Sequence, residues 1–197
     1  GMPKGVMLSY KNISCNLGST ADDVLLNKLG NSTNTISVLP MAHMYGLMIE
    51  LFNPFSKGCH IHFLTRIPSP KIILDAFAEC KPPIIIAVPL IIEKIIKNKV
   101  FPLLDKPIMK FLMMIPFVDN QLLSKIKAKL EESFGGNLKQ IIVGGAALNK
   151  EVEEFLRKID FPITVGYGMT ECAPLVSYAP WNETKQGACG KLCNYME

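Results

Sequence analysis

Leu138-Lys-Gln-Ile-Ile-Val-Gly-Gly-Ala-Ala-Leu148 runs on through Asn149-Lys-Glu-Val-Glu-Glu-Phe-Leu-Arg-Lys-Ile159 to Phe161-Pro-Ile-Thr-Val165. Leu138–Val143 is an apolar run of strand length, broken by Gly144-Gly145. Asn149 then offers a side-chain oxygen to the first free N–H groups of a helix. Val152, Phe155, Leu156 and Ile159 stand at i, i+3, i+4 and i+7 and so share one helical face, while Glu151 and Glu153 favour the positive end of the helix dipole. Phe161–Val165 is a second apolar run. A buried strand, a helix with one apolar face and another buried strand form the crossover unit that joins parallel strands.

The same alternation extends outward. Thr35–Leu39, Cys59–Leu64 and Pro83–Val88 are further strand candidates, and most of the runs are continuous Ile, Val and Leu, as strands covered on both faces require. Ser69 followed by Pro70 reads as a helix start, with Ile73, Phe77 and Cys80 on one face before Pro82. Leu122, Ile126 and Leu130 mark another helix, which Gly135-Gly136 stops. The pattern predicts an α/β fold, a mostly parallel sheet with helices on both faces. Residues 1–197 form one unit, since no internal repeat or Gly/Ser linker divides them. Val100–Val118 departs from this regularity: Pro102, Pro107 and Pro116 punctuate it, and Met109, Phe111, Met113, Met114 and Phe117 make it apolar. It reads either as a short hydrophobic helix pair packed on the sheet or as a surface for an acyl chain or a membrane.

Charged residues are 19% and apolar residues 49% of the 197, which excludes disordered and low-complexity classes. The net charge of +4 comes from scattered basic residues, with no stripe for nucleic acid. The longest apolar run, Ile84–Ile92, falls far short of the roughly 20 residues that span a bilayer. With no secretory signal at Gly1-Met-Pro-Lys-Gly5, a cytoplasmic location is expected, and there the six cysteines stay reduced. The Asn-x-Ser/Thr triplets at Asn12, Asn31 and Asn182 then carry no glycan. Cys59, His60 and His62 lack a second ligand pair at zinc spacing, as do Cys189 and Cys193.

Four segments carry candidate chemistry. Val165-Gly-Tyr-Gly-Met-Thr-Glu171 follows a buried strand directly, where open α/β sheets place their ligand crevices. There Gly166 and Gly168 permit a sharp turn or a close ligand approach, Tyr167 offers a flat ring, Thr170 a hydroxyl, and Glu171 a hard carboxylate for Mg²⁺. Gly144-Gly-Ala-Ala-Leu148 leaves room after another strand, and Lys4 with Gly5 suits phosphate. His43 stands in Leu39-Pro-Met-Ala-His-Met-Tyr-Gly46. Each segment also has a plain structural reading, as a glycine-bounded turn or a packed histidine.

Together, Gly1-Met-Pro-Lys-Gly-Val-Met-Leu-Ser-Tyr-Lys-Asn12, Leu39–Gly46, Gly144–Leu148 and Gly166–Glu171 resemble, in order and spacing, the adenylate-forming superfamily of acyl-CoA synthetases, peptide-synthetase adenylation domains and luciferases. Within it the chain most resembles a bacterial long-chain fatty-acid CoA ligase. The resemblance implies ATP, Mg²⁺ and CoA as reactants and cofactor, a fatty acid as substrate, and activation of that acid as acyl-AMP before transfer to the CoA thiol. Peripheral membrane contact is compatible with it. It places Tyr167 and Gly168 at the adenine and α-phosphate, Gly145 and Ala146 between nucleotide and acyl pocket, and Thr170 on phosphate. Glu171 would hold Mg²⁺, His43 would stand near the acyl and thioester channel, and Lys4 with Gly5 in the tail of the phosphate loop. Met44, Tyr45 and Leu47 are candidates for the acyl-pocket wall.

The family's Thr/Ser/Gly run that opens the phosphate loop is not in this sequence, nor are the ribose-binding aspartate, the hinge and the C-terminal domain with its lysine. The 197 residues therefore read as the central part of a larger N-terminal domain, and the mean hydropathy of +0.25 fits a piece with neighbours to cover it. Two other readings are a stand-alone nucleotide- or acyl-binding module without catalysis, and an adenylating enzyme for an aryl or amino acid. On the first reading these residues alone release no pyrophosphate from ATP and a fatty acid, and turnover in that assay would refute it.

Overall fold

The computed structural model describes residues 2, 4–21, 27, 29–115 and 118–196. Strand β1 (Asn34–Ser37) pairs in parallel with β2 (His60–Phe63). Strands β3 (Ile84–Ala87), β4 (Gln140–Val143) and β5 (Ile163–Val165) form a parallel sheet in that order, and β1 lies beside β3. Four of the five fall inside the predicted runs, trimmed by one or two residues at their ends, while β1 starts one residue before its run and stops two short of the run's end.

Helix α1 (Tyr10–Ala21) precedes β1. Beyond β1, a π-helical segment, Gly46–Phe52, leads into the short α2 (Asn53–Ser56). Helix α3 (Pro70–Cys80) begins as its sequence dictates, the Ile72 N–H donating to Ser69 Oγ at 3.3 Å. It ends at Lys81, whose φ of 50° is left-handed. After β3 come α4 (Pro89–Ile95), a π-helical segment at Ile96–Val100, α5 (Phe101–Leu104), α6 (Pro107–Leu112) and α7 (Val118–Ser133). Helix α8 (Lys150–Lys158) is capped by Asn149, whose Oδ1 accepts from the Val152 N–H at 3.2 Å.

Leu123 and Leu130, seven residues apart, are the buried residues of α7, while Leu122 and Ile126 are half-buried, so its inward stripe is rotated from the one expected. A larger difference lies at the C-terminal end of the chain. There β6 (Tyr167–Gly168), β7 (Leu175–Tyr178) and β8 (Lys191–Leu192) form an antiparallel sheet that no hydrophobic periodicity announced. Two of its strands are only two residues long, too short to show a period.

The Val100–Val118 stretch is partly packed on the core and partly exposed. Leu104 and Met113 pack against the core and the Phe101 ring meets Phe155 edge-on at 5.6 Å, while Ile108, Phe111 and Met114 face outward. Pro116 and Phe117 lie outside the described residues. Among the described residues no helix is long and apolar enough to cross a membrane.

The core is knitted by three phenylalanines in series. Phe134, fully buried, stands 5.9 Å from the Phe77 ring on α3 and 5.8 Å from Phe161 at the start of the β5 run. Because Phe134 joins two layers, Phe134→Ala should destabilise the fold by about 3–5 kcal/mol. Urea unfolding with an unchanged m-value checks this.

Candidate active site

A cavity of about 360 Å³ opens where the chain leaves the carboxyl ends of four strands. Leu39 and Pro40 follow β1, Val88 follows β3, Gly144 and Gly145 follow β4, and Gly166 follows β5; all of them line it. This is the edge at which open α/β sheets hold ligands. The far wall comes from the antiparallel sheet, through Tyr167, Gly168, Leu175 and Tyr178, and from Thr20 on α1.

Of the residues singled out from the sequence, His43, Gly145, Tyr167, Gly168 and Thr170 meet on this cavity. Met44 and Tyr45 join them as expected for a wall, whereas Leu47 does not line it and Gly46 does. Glu171, exposed, follows Thr170 in a single turn of 3₁₀ helix, Thr170–Cys172, at the rim. Ala146 is exposed beside Gly145, outside the lining. Lys4 and Gly5 are exposed in the coil before α1 and do not reach the cavity wall. Gly1 and Pro3 of the same motif lie outside the described residues.

Two of the glycines that line the cavity are required by protein packing. A Cβ on Gly144 would stand 2.7 Å from the Tyr45 ring, and one on Gly168 would stand 2.3 Å from the Pro174 carbonyl oxygen. The first lets Tyr45 lie across the end of β4, where its hydroxyl donates to the Ile142 carbonyl at 3.1 Å. Burial, with the nearby Glu50 and Tyr178, pushes that phenol well above its usual range, so it stays a neutral donor. The second lets β6 and the start of β7 approach closely, so Gly168 is required by the neighbouring backbone and not by a sharp turn. Gly145 differs from both, with open space where a Cβ would stand.

Asn16 carries no signal in the sequence, yet it anchors the rim. Fully buried on α1, it donates through Nδ2 to the Cys172 carbonyl at 2.7 Å and accepts at Oδ1 from the Leu175 N–H at 2.9 Å. One amide thus grips both sides of the turn that presents Thr170 and Glu171. Its partners are more than 150 residues away, which is why no local pattern could reveal it.

Farther along, Arg157 on α8 donates to the Glu153 carboxylate at 3.0 Å and to the carbonyls of Thr184 and Lys185, and Glu153 also accepts from the Gly187 N–H. This ties the segment before β8 to the main body.

Strands that end together around an apolar crevice, with a hydroxyl in its lining and a carboxylate next to it in the chain, are the ligand-crevice arrangement of an open α/β protein. The model of the AMP-binding enzyme family matches residues 1–197, and the chain belongs to that family. It is 27% identical over 209 residues to the long-chain-fatty-acid–CoA ligase 1 of Saccharomyces cerevisiae, covering 98% of this chain and 30% of that protein. It is 28% identical to the 4-coumarate–CoA ligase 1 of Solanum tuberosum, covering 100% of this chain and 32% of that one. The fold also matches O-succinylbenzoate coenzyme A synthetase from Bacillus subtilis in complex with AMP, with a TM-score of 0.69 at 21% identity over 98% of this chain and 33% of that one. The chain spans about a third of the length of the curated relatives it matches.

Replacing Asn16 by Ala leaves a carbonyl and an N–H without partners beneath the rim, a loss of about 1–3 kcal/mol. Faster amide exchange at Leu175, with slow exchange kept in β4, is the expected local signature.

Proposed function

We propose that this chain forms the nucleotide- and acyl-binding centre of an acid–thiol ligase that activates a long-chain fatty acid. The observation that carries this reading is the cavity itself, where an apolar wall and a polar rim meet at the strand ends. Leu39, Met44, Ile49, Val88, Ile142 and Leu175 supply an apolar surface for a hydrocarbon chain. Tyr167 offers its ring to adenine, and Gly145 leaves space between the two ligands. Thr170 donates its hydroxyl to phosphate.

The chemistry runs in two displacements. A carboxylate oxygen of the acid attacks the α-phosphorus of ATP, the Pα–O bond to the β-phosphate breaks, and pyrophosphate leaves with that electron pair. The CoA sulfur, having lost its proton to solvent, then attacks the acyl carbon, and AMP leaves as the mixed anhydride breaks. The chain's part in the first step is alignment: near-attack geometry contributes because the reactants are held rather than colliding freely. His43 is exposed on the cavity wall, and on this reading it would stand near the acyl carbon.

Mg²⁺ suits the residues present. Among the described residues no three His, Cys, Asp or Glu side chains gather into a closed metal cage. Mg²⁺ commonly takes one or two carboxylates together with substrate phosphates, and Glu171 at the rim beside Thr170 provides such a carboxylate. When bound, the ion neutralises charge on the triphosphate as pyrophosphate departs.

An aryl acid is the second reading, favoured by the similarity to the potato 4-coumarate–CoA ligase. Calorimetry with non-hydrolysable acyl-adenylate analogues separates the two. The palmitoyl analogue should bind tighter than the coumaroyl one, each buried methylene adding about 0.8 kcal/mol. Thr170→Ala should weaken the palmitoyl analogue about tenfold, or about 1.4 kcal/mol. Glu171→Ala should weaken ATP similarly, in the presence of Mg²⁺ only. Binding unchanged in both variants would remove the assigned site.

A further inference from the structure

The wall that carries His43 and Tyr45 hangs from a group the function above does not use. Glu50 sits on the π-helical segment Gly46–Phe52, 2% exposed. π-Helical turns are rare and cluster at functional sites. The wide turn here buries Met48, Ile49 and Glu50 in succession, sending a carboxylate into the interior. Its Oε2 accepts from the Ser37 hydroxyl at 3.0 Å, the Val38 N–H at 3.0 Å and the Leu39 N–H at 2.9 Å. These are the three residues at which β1 ends and the cavity wall begins.

Neither N–H has a strand partner in the β1–β2 ladder, whose register ends at Ser37. The carboxylate therefore replaces the sheet at the point where the chain leaves it. From there the wall continues through its own turn, in which the His43 N–H donates to Pro40 at 3.0 Å and the Leu47 N–H to His43 at 3.0 Å.

We infer that Glu50 is a positioning residue of the cavity: by gathering the Ser37, Val38 and Leu39 donors onto one oxygen it fixes where the Pro40–Gly46 wall, and with it His43, stands. A buried Leu or Met would fill this volume but leave two backbone N–H groups unpaired, and a charged acceptor makes the stronger bonds.

The cost of the arrangement falls on the other oxygen. Oε1 is buried without a hydrogen-bond partner. Among the described residues no cation forms an ion pair with Glu50. The titratable neighbour facing it is Tyr45 from the wall, with Tyr178 of β7 beyond; β1 brings the neutral Ser37, and α1 the neutral Thr20, which accepts from Asn53. Burial lifts the carboxyl from 4.5 to about 7, against the lowering effect of the Leu39, Val38 and Ser37 donors.

Two trends of opposite sign follow. Because the folded chain holds this proton more tightly than the unfolded chain, Glu50's contribution to stability is fully present below pH 4.5 and is lost as pH rises to about 7. The wall behaves the other way, since the ionised carboxylate grips its three donors more firmly than the neutral acid does. A role in packing alone would not order the wall as the fold weakens.

Amide exchange, corrected for intrinsic chemistry, reads the wall directly. In the unaltered protein, protection at Val38 and Leu39 should rise about tenfold between pH 6 and pH 8, centred near 7. In Glu50→Gln it should be low and flat, with β4 protection at Ile141–Val143 retained. Unchanged protection at Val38 and Leu39 in the variant, pH-independent protection in the unaltered protein, or loss spread equally into β4 would each overturn the inference. If Glu50→Gln does not fold, the pH series on the unaltered protein decides alone. Exchange needs no ligand, so its outcome is separate from that of the nucleotide-site reading. In a ligand arm, the palmitoyl-adenylate analogue should bind Glu50→Gln several-fold more weakly than the unaltered protein, and equal affinity counts against the positioning role.

Discussion

Parallel strands leave the sheet on one edge, and each departing chain must turn away without filling the space above it. That constraint makes the crevice. After β4 it is met by Gly144, where any larger residue would collide with Tyr45, and after β5 by Gly168, where a side chain would strike the Pro174 backbone. Small residues at these points let protein approach protein beside the open volume. Glycines set against packed protein and a glycine with open space beside it stand next to one another at Gly144 and Gly145, and only their surroundings tell them apart.

The rim and the wall are both held by buried polar groups that point at backbone. Asn16 secures the turn bearing Thr170 and Glu171, and Glu50 secures the turn bearing His43. Irregular backbone at the end of a sheet has N–H and C=O groups that no strand satisfies, and burial makes each of them costly to leave alone. A side chain with the right donors or acceptors resolves this and also sets the loop in one conformation. The two anchors come from elements on different sides of the cavity, α1 and the π-helical segment, so the site is framed by parts that do not themselves touch the open volume at these residues.

On the function proposed above, membership in the AMP-binding enzyme family gives these loops a common purpose. An adenylating reaction needs one place for a triphosphate and another for a carboxylate with its hydrocarbon, close enough for a single oxygen to reach phosphorus. The cavity has a mostly apolar lining that includes the Thr170 hydroxyl, and Glu171 follows Thr170 in the chain. The relatives are named for acids as different as long-chain fatty acids and 4-coumarate.

The sequence by itself determined the parallel strands, the caps at Ser69 and Asn149 and the place of the crevice, because each depends on residues near one another in the chain. Continuous apolar runs can be buried only on both faces, and a capping oxygen reaches just three residues ahead. It also brought forward Tyr167, Thr170 and His43, the first two because their segment directly follows the β5 strand, which is itself a local fact. Tertiary structure alone decided the antiparallel β6–β7–β8 sheet, the inward stripe of α7, the placing of Lys4 and Gly5 away from the cavity, and the roles of Asn16 and Glu50. Asn16 and Glu50 resemble ordinary polar positions in a helix until the fold closes over them. Their partners are backbone groups brought close by long-range packing, and no periodicity in the chain encodes which amide will be left without a strand.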